Sequence, residues 1–206
     1  MSSAVAFHAG QLARNLLAGA RLAFFLPVRG ESFRASPEQF ALLALFNLAV
    51  WIAVAGERTG FEGEFQPSAI SVYLGNVALV LATAFLVAHA YRTPGRLLLI
   101  AVALSASDAL FDLAALALVA AGAAERHASA LYVAFVAWAW LASLRAAVVC
   151  CGWRRPAVYL AGLAVTLMTG VALLVIPDAD VWLLPDDEEE EQMEAQFPLK
   201  LPGQES

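Results

Sequence analysis

Charge is scarce in this chain. Charged residues occupy 15% of its 206 positions, against about 25% in a typical soluble domain. Hydrophobic residues occupy 61%, and mean hydropathy is +0.72. A water-soluble fold could not hide that much apolar surface, so lipid must be the solvent. Cysteine is nearly absent too: Cys150 and Cys151 are the two, and they are adjacent. Neighbouring cysteines seldom bridge each other because the geometry is strained, which leaves no disulfide framework and no CxxC metal or redox motif. A glycine-rich phosphate loop and an HExxH pair are both missing, so no cofactor or metal is implied. Nor is there a basic patch of the kind nucleic acid requires.

The charges that are present are segregated. Ten of the eighteen acidic residues follow Pro177, whereas eight of the twelve basic ones fall in three short stretches. Such segregation suits a membrane protein with two chemically different sides. The sequence predicts an all-α integral membrane protein of five transmembrane helices preceded by an amphipathic interfacial helix. Residues 1–37 supply that helix and a linker, 38–177 the transmembrane domain, and 178–206 an acidic, disordered tail or linker.

Between Ala4 and Leu26, Arg14 and Arg21 share one helical face while Val5, Leu12, Leu16 and Ala23 gather on the other, the pattern of a helix lying in the membrane interface. A spanning helix here is the alternative, and it would invert the parity of everything that follows. Ser36 as N-cap and Pro37 at the first helical position open the first span, which covers about Gln39 to Ala55. A polar loop, Gly56 to Ser68, leads to a second span over about Ala69 to Tyr91. Arg92 to Arg96 turns into a third, Gly95 to Gly122, and Glu125 to Ser129 separates that from a fourth, about Ala130 to Cys151. Trp153 to Pro156 turns into a fifth ending near Ile176. The tail begins with Val181 to Leu184 at the interface and continues into the acidic block Asp186 to Glu191, which cannot bury a core.

Basic residues favour cytoplasmic loops, and Trp and Tyr favour span ends. With the N-terminus inside, the inner segments hold Arg14, Arg21, Arg29, Arg34, Arg92, Arg96, Arg154 and Arg155, and the outer ones only Arg58, Arg126 and Lys200. Tyr73, Tyr91, Tyr132 and Tyr159 all fall at span ends, as do Trp51, Trp153 and Trp182. Both signals give a cytoplasmic N-terminus and a periplasmic C-terminus in a bacterial inner membrane.

The third span carries Asp108 and Asp112, four residues apart and so on one helical face, with Ser105 one turn before Asp108. Each carboxylate costs on the order of 3 kcal/mol at mid-membrane, enough to exclude a lipid-facing position. The pair is either a proton or cation site or a structural polar cluster holding the helices in register. Arg145 in the fourth span is the obvious partner. Its depth differs from that of Asp108 by about 6 to 9 Å at 1.5 Å per residue, a gap a guanidinium can close. An Asp108 to Arg145 ion pair is therefore expected, with snorkelling of Arg145 to the headgroups as its alternative. Asn47 and Asn76 read as interhelical hydrogen-bond partners, and His89 as an interfacial histidine. A Cys and His dyad fails because His127 lies on the outer side and Cys150 on the inner. The DxxxD pair lacks the upstream DGxxAR of CDP-alcohol phosphotransferases, and the preceding Asn of UbiA-type prenyltransferases.

The stretch from Asn15 to Trp51, with its FRASPEQFALL wording, four further spans and an acidic linker, resembles the membrane-anchored N-terminal region that precedes legumain-like, caspase-fold cysteine peptidases of proteobacteria. The layout of a cytosolic segment and five spans also looks like the Yip family. The first resemblance implies an anchor without its catalytic domain, to which no peptidase residue carries over. The expected function is thus a non-catalytic membrane anchor or interaction module, with the bilayer and a periplasmic domain or partner protein, met through the acidic tail, as its partners. The alternative is a small proton- or cation-coupled transporter using Asp108 and Asp112.

Overall fold

The structure is a computed structural model describing residues 2–59, 64–120, 124–175 and 182–183. The acidic block and the side chains of Arg58, His127 and Tyr132 lie outside the described residues. Six helices make up nearly all of it: α1 (Ser2–Ala23), α2 (Pro37–Thr59), α3 (Ser68–Ala90), α4 (Leu97–Ala120), α5 (Ala124–Cys151) and α6 (Arg155–Val175). Among the described residues, four helices are long and apolar enough to cross a membrane: Pro37–Glu57, Ser68–Ala90, Pro94–Ala120 and Val133–Cys151. The protein is a multi-pass membrane protein.

Local chemistry sets several helix ends. Ser36 Oγ accepts the Gln39 N–H at 3.2 Å, so the expected cap and the proline behind it do start α2. The α1, α3 and α5 ends each place one residue in the left-handed region: Phe25 at φ 57°, Arg92 at φ 55° and Gly152 at φ 89°. At α1, Leu26 N–H reaches back to Arg21 O at 2.8 Å and Phe25 N–H to Leu22 O at 3.1 Å, the paired bonds of a Schellman stop. Glu125 to Ser129, expected to be a separating loop, belongs to α5. One short antiparallel ladder was not foreseen: Glu64 pairs with Leu183 and Phe65 with Trp182, tying the segment after α2 to the segment after α6.

α4 is the axis of the bundle. Every residue from Ile100 to Ser107 is buried, as are Ala109 and Phe111, and α1, α2, α3 and α5 all pack on it. A helix apolar on all sides is the kind that ends up enclosed. The turns at the starts of α4 and α6 meet at one end, hereafter the arginine end: Arg96 donates to Cys150 O, and Thr93 Oγ1 lies 3.6 Å from Cys151 Sγ. Tyr91, just past α3, is turned inward with its hydroxyl unpartnered, and burial pushes that phenol above its ordinary value. Tyr73 is buried as well and donates to Ala44 O, so two of the tyrosines expected at the interface serve packing.

α1 departs most from a helix lying flat across the bundle. Asn15, Ala18, Leu22 and Ala23 are buried, and Gly19 sits directly on the Ala106 backbone of α4. Near its start, α1 meets the arginine end, where Gln39 Nε2 donates to His8 O at 3.3 Å. Its last turn has climbed to Trp138, whose indole N–H donates to Ala23 O at 2.8 Å. Trp138 lies thirteen residues before the end of α5, about 20 Å along the axis. The chain then returns to the arginine end to begin α2. Asn15 secures the return, accepting Arg34 N–H at 2.7 Å and donating to Arg34 O at 3.1 Å and Gln39 Oε1 at 3.3 Å.

Candidate intramembrane polar site

Asp108 opens onto a cavity of about 110 Å³. Four helices line it: Asn76, Leu79, Val80 and Thr83 from α3, Leu104 and Asp108 from α4, Ser143 from α5, and Val165, Met168 and Thr169 from α6. The hydroxyls are placed by their own helices. Thr83 Oγ1 donates to Leu79 O at 2.8 Å and Ser143 Oγ to Ala139 O at 2.9 Å. Each proton is committed one turn back, the usual habit of Ser and Thr inside helices, so both oxygens offer only lone pairs to a guest. Together with the Asp108 carboxylate they make an acceptor-rich wall. Among the described residues, neither aspartate has an ion-pair partner or a hydrogen-bond donor.

The expected four-residue cluster is not assembled in one place. Asp112 lies one turn further along α4 and does not line the cavity, while Tyr73 of α3 is close enough to feel both carboxylates. Ser105 is buried beside α2, and its backbone carbonyl accepts Asn47 Nδ2 at 3.0 Å. Asn47 thus forms the interhelical bond expected of it, with Oδ1 left unpartnered. Asn76 lines the Asp108 cavity instead, and His89 is exposed and stacked on Phe85.

Arg145 is the main correction. It does not pair with Asp108, nor does it reach out past the helix ends. Its guanidinium donates to Leu22 O at 3.0 Å and to Leu26 O, and lies 5.2 Å from the centre of the Phe25 ring. The reason is the α1 terminus. The last carbonyls of a helix have no partners within it and carry the negative end of its dipole, and here the side chains flanking them, Phe24, Phe25 and Leu26, are apolar and half exposed. A guanidinium with five donors satisfies them better than a carboxylate one helix away could use it. Trp138 completes the cap, backed by Phe24, Phe111 and Phe135.

Thr83, Ser143 and Thr169 did not stand out in the sequence, where lone hydroxyls in apolar runs are common. Their depth is the signal: Thr83 lies seven residues before the end of α3 and Ser143 eight before the end of α5, within about a turn of the eleven that separate Asp108 from the start of α4. No protein-family model matches the chain, and no curated protein or solved structure matches it significantly, so neither the legumain-like nor the Yip resemblance gains support.

Proposed function

We propose that this protein is a small transporter that binds and passes a proton or small cation at Asp108. The observation that carries the proposal is an unpaired carboxylate facing a cavity in which the Thr83 and Ser143 hydroxyl oxygens can only accept. A buried charge inside a membrane bundle without a partner marks an ion or proton path by default. Size narrows the guest. A cavity of about 110 Å³ has room for several waters or a hydrated ion. Asp112 is the second station, one turn further along α4.

Purified protein in liposomes carrying a pH-sensitive or Na⁺-sensitive dye tests this under an imposed potential. Wild-type protein should conduct, and Asp108→Asn should lower the flux by roughly tenfold or more, the equivalent of about 1.4 kcal/mol in ion binding. Asp112→Asn should have a smaller effect. Wild-type flux no greater than that of empty liposomes would sink the proposal.

The firm attachment of α1 through Asn15, Gly19 and Arg145 favours a second reading: a non-catalytic anchor of the bacterial inner membrane, of the kind that precedes legumain-like peptidases. Both readings share one topology, in which α6 is a fifth span, the arginine end is cytoplasmic and the C-terminus is periplasmic. Alkaline phosphatase fused after Ile176 should then be active, and an inactive fusion would reverse the orientation.

A further inference from the structure

The arginine end carries basic groups that the interior does not use. Six arginines belong to its linker and turns, Arg29, Arg34, Arg92, Arg96, Arg154 and Arg155, against two glutamates, Glu31 and Glu38. The Arg96 to Cys150 and Thr93 to Cys151 contacts hold the α3–α4 turn against the α5–α6 turn, which brings the arginines of both to one rim. Arg96 is committed to the Cys150 carbonyl. Arg92, Arg154 and Arg155 are exposed and, among the described residues, make no ion pair or hydrogen bond through their guanidinium groups. No acidic residue occupies the first turn of α4 or α6. Beside the arginines stand two aromatic rings turned outward, Trp153 at 69% and Tyr159 at 78% exposure.

We propose that this rim is a binding site for the phosphodiester headgroup of an anionic phospholipid. Three unpaired guanidiniums on one rim attract an anion, and planar guanidinium forks match phosphate oxygens two at a time. Trp and Tyr with one apolar side and one polar tip settle at headgroup level. A bound lipid places its phosphate at that level and its acyl chains along α5 and α6, whereas a soluble anion would leave the two rings without a purpose. Basic pockets between helices at a membrane surface are where such headgroups are held. The site is separate from the Asp108 cavity, so it stands whether or not that cavity conducts.

Native mass spectrometry of the full chain in detergent micelles supplied with phosphatidylglycerol or phosphatidylcholine tests the proposal. Phosphatidylglycerol should be retained about tenfold more than phosphatidylcholine, a difference of about 1.4 kcal/mol. The Arg92→Gln, Arg154→Gln, Arg155→Gln triple variant should bring the two level, and Lys200→Gln should change nothing. Should the triple variant not purify, Arg154→Gln alone must still lower phosphatidylglycerol retention. Equal retention of the two lipids by the wild type, undiminished retention by the variants, or displacement of phosphatidylglycerol by excess inorganic phosphate would each overturn it, the last by making the site one for free phosphate.

Discussion

Alanine at Gly19 should destabilise the protein by about 3 kcal/mol, at the upper end of what overpacking a core produces. A Cβ at this position would lie 2.2 Å from Ala106 O and 2.4 Å from Ala106 C, both backbone atoms of the central helix. α4 is enclosed on nearly all sides at that level, so the strain must be relieved by lifting α1 away. Thermal unfolding in detergent, compared with Gly10→Ala, measures the effect. Gly10 has nothing within 4 Å of its would-be Cβ, and alanine there should be neutral or slightly stabilising through helix propensity. Equal behaviour of the two variants would mean that α1 does not sit on α4 as described.

Arg145→Leu should cost about 1.5 to 3 kcal/mol, because it strips hydrogen bonds to a charged donor from the helix-end carbonyls of α1. The two alternatives for Arg145 are separated by a double-mutant cycle. If the arginine serves α1, the effects of Arg145→Leu and Asp108→Asn should add to within about 0.5 kcal/mol. An ion pair would instead give a coupling energy well beyond that. In the same preparation Arg145→Leu should leave the N-terminal segment more open to protease than wild type, since Leu22 O and Leu26 O lose their donor together.

The sequence was most informative where one residue type acts locally. Long apolar runs delimit α2, α3, α4 and α5, and Ser36 and Pro37 mark a start by their own side chains. Gly152 is a legible stop, since glycine tolerates a positive φ. Phe25 and Arg92 take the same conformation without that freedom, and nothing in their identity announces it. In these two ends the surrounding contacts decide: the Phe25 ring is held over Arg145, and the Arg92 turn is pinned by Thr93 and Arg96.

The candidate site was legible by half. Helical spacing and desolvation cost are enough to send Asp108 and Asp112 inward. Depth counting found Arg145 at a plausible level for pairing, but it compares only span with span. It has no place for a helix that enters between spans and stops, which is what claims the guanidinium. The cavity oxygens come from three other helices, and which face of each turns toward Asp108 is fixed by packing alone. The hydrophobic pattern cannot tell, because α3, α4 and α5 are apolar nearly all round.

The cap on α1 also fixes an order of assembly. The donor at Arg145 stands 123 residues after Leu22, the acceptor, and the seat at Ala106 is itself far downstream of Gly19. While the ribosome is still making α2 and α3, the first helix has neither its seat nor its cap, and its terminal carbonyls must stay near water. The seat follows with α4, and only when α5 has emerged can the end of α1 be capped. The first segment synthesised is thus among the last to be secured, and a chain truncated before Arg145 should leave its end uncapped.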